Sequence, residues 1–230
     1  MVALGLALIA TNNVDTEWFR KWTPLIIAAA PVTVVVCIAS IALACTLAVI
    51  GALGRLARNP LINGLASLYV SFVRGTPPLV QIYFIYFALP ALGIILPAIP
   101  AGIIALGFNY GAYLTEIFRA GIQAVPRGQR EAAGALGMSE SLVMRRVVLP
   151  QATRIVTPAI GNEFIAMIKD SALVSTIGVR ELLWNAENAG RPSGNTLEAF
   201  ILVALIYWIL TIIFSFFQER LERRFARGDR

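Results

Sequence analysis

Apolar positions in this chain fall in long blocks, not in the alternation of a half-buried strand. From Trp22 to Gly54 there are 33 consecutive uncharged residues, and a bilayer core of about 30 Å is crossed by about 20 helical residues. This stretch predicts a first span, with Arg20 and Lys21 beside Trp18 and Trp22 as the basic and aromatic anchors expected at a headgroup boundary. The next uncharged block, Gly75 to Thr115, has 41 residues and is interrupted by Pro90, Gly93, Pro97 and Pro100. It predicts two spans, roughly 77 to 95 and 100 to 120. A fourth span is expected over roughly 155 to 178, carrying Glu163, Lys169 and Asp170, and a fifth over the 20 uncharged residues from Ala199 to Gln218.

Between the first and second spans, Asn59 and Pro60 read as an N-cap and a first helical residue. Asn63, Ser67 and Ser71 then recur every four residues and place one polar stripe on an otherwise apolar helix. A helix ending near Val73 reaches only about 22 Å, too short to cross, so it reads as an interfacial elbow. Arg74, Gly75, Pro77 and Pro78 break the chain after it. Met1 to Ala10 is apolar but too short to span and lacks a basic lead, so it reads as an interfacial tail.

Composition strengthens this reading. Of the 230 residues, 58% are hydrophobic and 14% charged, against about half and about a quarter in soluble domains. The expected fold is an all-α membrane protein with about five transmembrane helices, an interfacial elbow helix and short cytoplasmic coupling helices. Of 19 basic residues, 14 fall on one side of the predicted spans, which makes that side cytoplasmic by the positive-inside rule. The N-terminus, the turn at 90 to 100 and a loop at 180 to 198 then face outward, and the C-terminus faces inward. The expected parts are an external or interfacial tail over 1–23, a transmembrane domain over 24–220 with a cytoplasmic loop over 125–150, and a basic cytoplasmic tail over 221–230.

Charge and chemistry narrow the function. The net charge of +6 is dispersed between apolar blocks and forms no stripe for nucleic acid. Histidine is absent, which removes His-based acid–base catalysis and His-ligated metal sites. Cys37 and Cys45 would stand about 12 Å apart on one helix and cannot bridge each other. No phosphate-binding G-x-x-x-x-G-K-[ST] loop and no nucleophile–base pair occurs, which argues against an enzyme and against a nucleotide site or cofactor in this chain. Gly107 and Gly111 form a G-x-x-x-G on the third span, expected mainly to serve packing within the chain.

The 125–150 loop is the most informative segment. Arg130 to Leu136 suits a short helix, Gly137 a left-handed stop, and Ser139 a cap for a second helix ending at Pro150. Such a bend carries Ala135, Leu136 and Met138 outward, a shape suited to a groove on another protein. Glu131, Ala132 and Ala133, then Gly137, then Val147 to Pro150 also match the E-A-A-x3-G-x9-I-x-L-P signature of prokaryotic ABC importer permeases, with Val147 replacing Ile. The chain resembles their polar amino acid subfamily in Arg74 to Pro77, Tyr113 to Gln129 and Lys169 to Leu173 as well. Ala172 stands where that family more often has a small hydroxyl residue.

This resemblance implies a permease subunit in the cytoplasmic (inner) membrane, embedded in membrane lipid. It further implies a cytosolic ABC ATPase carrying ATP and Mg, a second permease copy or paralogue, and an external amino-acid-binding protein. The segment Glu131, Ala132, Ala133, Ala135, Leu136, Gly137, Met138 and Ser139 would couple to the ATPase. Glu163, about 13 Å along a helix from Arg154, should lie inside the bilayer, where an ionisable group normally faces the bundle interior or a wet cavity. With Asn162 it is a candidate for lining the path and meeting the cationic end of an amino acid; a structural bond to a neighbouring helix is the competing role. Lys169, Asp170 and Ser171 are further path candidates, the first two as a gating or structural pair. A secondary transporter or channel not driven by ATP is the alternative functional class, and a non-transporting scaffold would leave Glu163, Lys169 and Asp170 without a role.

Overall fold

In the computed structural model, residues 15–226 are described, and no strand occurs among them. Helix α1 (Thr16–Ile27) is capped by Asp15, whose carboxylate accepts from the Trp18 amide at 2.9 Å. After a break at Ala28 and Ala29, α2 (Ala30–Leu56) continues the apolar rod. The expected tail over Met1 to Ala10 lies outside the described residues, and α1 starts within the segment assigned to that tail. Trp18 is not a lipid-facing anchor. It is buried, and its indole N–H donates to Ser193 Oγ at 2.9 Å.

The buried face of α2 repeats every four positions through Val36, Ser40, Ala44 and Ala48. It packs along α5 (Ala98–Ala124). Without a hydrophobic drive between helices in lipid, close approach of small residues supplies the attraction. A methyl group on Gly107 would sit 2.7 Å from Leu43 Cδ2, and one on Gly111 3.0 Å from Leu47 Cβ. The G-x-x-x-G pair thus serves packing inside the chain.

Asn59 caps α3 (Pro60–Gly75), accepting from the Leu61 amide at 2.9 Å. Along the polar stripe, Asn63 donates to the Arg55 carbonyl at 2.6 Å and Ser67 bonds Arg55, so two of its members close the end of α2, while Ser71 stays exposed. The chain then bends by 109° into α4 (Pro78–Ala88), which ends in a 3-10 turn, Leu89–Leu92. Gln81 holds the bend: its amide donates to the Val73 carbonyl at 2.7 Å and to Thr76 Oγ1 at 2.8 Å, and accepts from Asn109 at 3.1 Å.

Beyond α5 come α6 (Arg127–Ala135) and α7 (Glu140–Val143). Here the helix expected to end at Pro150 does not end. A π-helical turn, Met144–Val148, leads into α8 (Leu149–Asp170), with Pro150 in the first turn of α8. Pro lacks an N–H and crowds the carbonyl four residues back, and a widened turn accommodates both. The fourth predicted span also changes character at its C-terminal end, becoming a 3-10 stretch over Ser171–Ile177. The segment expected as an outer loop is mostly helix α9 (Leu182–Ser193), because Leu182, Ala186 and Ala189 recur at helical spacing and bury against α1 and α10 (Thr196–Ala226).

Thr16–Leu56 and Thr196–Arg223 are long and apolar enough to cross a membrane alone, and the bent α3–α4 pair counts as a third, broken segment. Helices α5 and α8, with 27 and 22 residues, have the length as well. Their lower hydropathy follows from their place inside the bundle, α5 between α2 and α8, and α8 against α5 and α10. Four of the predicted spans correspond to α2, α5, α8 and α10, and the second corresponds to the bent α3–α4 pair, in which α3 runs along α5 as far as Tyr113. With its 3-10 turn, α4 reaches only about 22 Å.

Candidate functional site

Two places concentrate chemistry. The first lies where the ends of α3 and α8 meet the middle of α5. Arg74, in the last turn of α3, stands over the Tyr113 ring at 5.2 Å. The Tyr110 and Tyr113 rings are 6.4 Å apart, and the Tyr110 hydroxyl donates to Asp170 Oδ2 at 2.8 Å. Glu163 on α8 is half-buried and within electrostatic range of both Asp170 and Arg74. Neither a hydrogen bond nor an ion pair engages its carboxylate among the described residues. A guanidinium, two carboxylates and two phenols from three elements therefore share one region, with the Arg74 and Glu163 charges unpaired by each other.

Other candidates part from this cluster. Asn162 turns toward α10, where its Oδ1 accepts from Gln218 at 2.9 Å. Lys169 is exposed and forms no ion pair with Asp170 among the described residues, so the two are not a gating pair in this conformation. Ser171 is fully buried and donates to the Ile168 carbonyl at 2.7 Å, which places it between helices and away from any open path. Consecutive helical residues point about 100° apart, so neighbours of a path residue need not share its face.

Several residues here had no assigned role in the sequence reading. Arg74 stood only within a motif, although Tyr110 and Tyr113, three apart on an apolar helix, were a visible polar signal. Glu181 is the other. Its carboxylate is wholly buried, accepts from the Trp184 amide at 2.9 Å and from the Tyr207 hydroxyl, and so clamps the start of α9 to α10.

The second place is the elbow between α6 and α7. The Met138 amide donates to the Ala133 carbonyl at 3.2 Å and the Gly137 amide to the Gly134 carbonyl at 2.9 Å, with Gly137 at φ +79°. These two bonds are a Schellman stop with its left-handed residue at Gly137. Ser139 precedes α7 as expected but makes no side-chain cap bond. Leu136 is 83% exposed, and Glu131, Ala132 and Ala135 are exposed with it. Met138 does not point outward. Together with Ala133 it packs inward on Ile122, Val125 and Val148, because the reversal at Gly137 turns the next side chain back toward the bundle.

Residues 40–227 match the family described as the inner membrane component of binding-protein-dependent transport systems. The chain is 39% identical over 224 residues to the probable amino-acid permease protein YxeN of Bacillus subtilis, an alignment covering 95% of this chain and 99% of that protein. It is 42% identical over 182 residues to the L-cystine transport system permease protein TcyB of the same organism, covering 79% and 78%. Among solved structures, an amino acid ABC transporter crystallised with histidines superimposes with a TM-score of 0.86 at 40% identity, covering 92% of this chain and 99% of that one.

Proposed function

Because the chain belongs to the family of inner membrane components of binding-protein-dependent transport systems, we propose that it carries an amino acid inward, Arg74 receiving the α-carboxylate and Glu163 the cationic end, for which a basic side chain serves better than the α-ammonium group alone. It is a permease subunit and not an enzyme, and ATP is hydrolysed by a separate subunit. The names of the relatives, for an amino acid and for L-cystine, and the transporter solved with histidines support the amino acid class. A secondary transporter or channel does not fit this family.

The observation that carries the reading is the grouping of Arg74 over Tyr113 at 5.2 Å and Asp170 on Tyr110 at 2.8 Å with Glu163, whose carboxylate has no bond partner among the described residues. A zwitterion can bridge Arg74 and Glu163, and it exchanges its hydration for two charge-assisted bonds in a medium of low dielectric. Tyr113 under Arg74 and Tyr110 on Asp170 hold the polar groups in place.

In the rest of this reading, an external binding protein delivers the substrate at the N-terminal face, and a second permease, copy or paralogue, completes the path. The 125–150 loop docks on the ATPase, which holds ATP and Mg2+, with Leu136 as its apolar anchor. Residues 24–220 form the transmembrane unit, and the basic tail over 221–230 stays cytoplasmic.

The test is uptake of radiolabelled arginine into proteoliposomes holding the permease, its ATPase and saturating binding protein. Arg74→Gln and Glu163→Gln should each lower ATP-dependent uptake about tenfold or more, the size of one lost charge-assisted bond. Uptake at the parent rate in both variants, from complexes that elute intact, refutes the assignment.

A further inference from the structure

A cavity of about 860 Å3 opens at the basic end of the bundle, between the α6–α7 elbow and the ends of α2 and α5. Its floor is apolar, formed by Leu56, Ile122, Met138 and Val143. Its rim carries Arg58, Arg127 and Arg130 against a single carboxylate, Glu140. Arg58 Nη2 lies 3.3 Å from Glu140 Oε1, but both side chains are over nine-tenths exposed, so water weakens this pair and leaves the rim cationic.

Arg130 points to what is missing. One of its Nη groups donates to the Ile122 carbonyl, while its Nε is buried with no hydrogen-bond partner. This Nε has no accessible surface, so an acceptor in the cavity meets the outer N–H groups of the Arg130 guanidinium, which lines it.

We propose that this cavity binds one anionic phospholipid. Its phosphodiester accepts from Arg130 and meets Arg58 and Arg127, and its glycerol and first methylenes cover the apolar floor. The orientation proposed above sets this end at the cytoplasmic membrane surface, where anionic lipid and basic pockets between helices meet. Inorganic phosphate shares the anion chemistry but leaves Leu56, Met138 and Val143 uncovered. The volume suits a head group with the start of its chains.

The experiment is native mass spectrometry of the permease–ATPase complex, delipidated and then titrated with phosphatidylglycerol or phosphatidylethanolamine, with soluble glycerol phosphate as competitor. The complex should keep phosphatidylglycerol where phosphatidylethanolamine is stripped, and glycerol phosphate should not displace it. Arg58→Gln with Arg127→Gln should weaken retention roughly 30-fold, at about one unit of surface attraction per arginine. The corresponding Lys pair should retain the lipid, and Val143→Trp, which fills the floor without changing charge, should lose it. If the Gln pair does not assemble, the Lys pair and Val143→Trp decide. Equal retention of both lipids, displacement by glycerol phosphate, unaltered binding in Val143→Trp, or no lipid on the complex because the ATPase closes the cavity would each overturn the proposal.

Discussion

Glu163 and Asp170 are seven residues apart, two turns of helix, so they share one face of α8 toward Tyr110 and Arg74. The same arithmetic moves Lys169 and Ser171 off that face, and the structure leaves the first exposed and the second sealed between helices. The shared face of Glu163 and Asp170 follows from the helical period, whereas the expectation from sequence pairs Asp170 with Lys169. The place of Arg74 was not legible in the sequence, since its approach to Tyr113 depends on how α3 packs against α5, which no periodicity encodes. Glu181 was hidden for another reason: its partner Tyr207 is 26 positions away on a different helix. Glu163→Gln keeps size and hydrogen bonding but removes the charge. In single-turnover uptake, transport of arginine, lysine and histidine should therefore fall by about tenfold more than that of glutamine. Equal losses for all four substrates would assign Glu163 a role in helix packing instead.

At the scale of elements, two short devices set geometry for everything attached to them. The first is Gly137. A β-branched residue there would oppose the left-handed backbone and misdirect Leu136 relative to the inward-packed Met138. Gly137→Val should abolish substrate-stimulated ATP hydrolysis in the reconstituted complex while the membrane helices still insert; normal stimulation would remove the elbow from coupling. This stop was readable because a short helix and a glycine sit next to each other in sequence, and the six-residue bonding pattern is entirely local. The inward turn of Met138 was not, because it depends on Val125 and Val148 from other elements. The second device is Gln81. Substituting leucine would leave the Val73 carbonyl and the Asn109 amide without their buried partner, at a cost of about 1–3 kcal/mol for each unsatisfied group. Gln81→Leu should lower the apparent Tm of the detergent-solubilised complex by several degrees, whereas substitution at exposed Val80 should not. An unchanged Tm would show that the bend is held by Pro77 and Pro78 alone.

For the whole molecule, orientation follows from where charge is tolerated. One end of the bundle gathers Arg55, Arg58, Arg119, Arg127 and Arg130, of which Arg55 and Arg119 share Glu116 at 3.0 and 2.7 Å. The other end, built from α1, the 3-10 stretch, α9 and the start of α10, is held by Glu181 and carries Arg20, Lys21, Lys169, Arg180 and Arg191. Translocation of arginine-rich loops is disfavoured, so the first end should remain in the cytoplasm. Asn188, exposed on α9, and Gln129, exposed on α6, stand on opposite ends and report the two sides. In a background with Cys37 and Cys45 replaced by alanine, Asn188→Cys in intact spheroplasts should react with a membrane-impermeant maleimide, and Gln129→Cys only after permeabilisation. Labelling of Gln129→Cys without permeabilisation would invert the molecule. It would move the phospholipid cavity to the outer leaflet and place the α6–α7 elbow, with its 83% exposed Leu136, where no cytosolic ATPase could reach it.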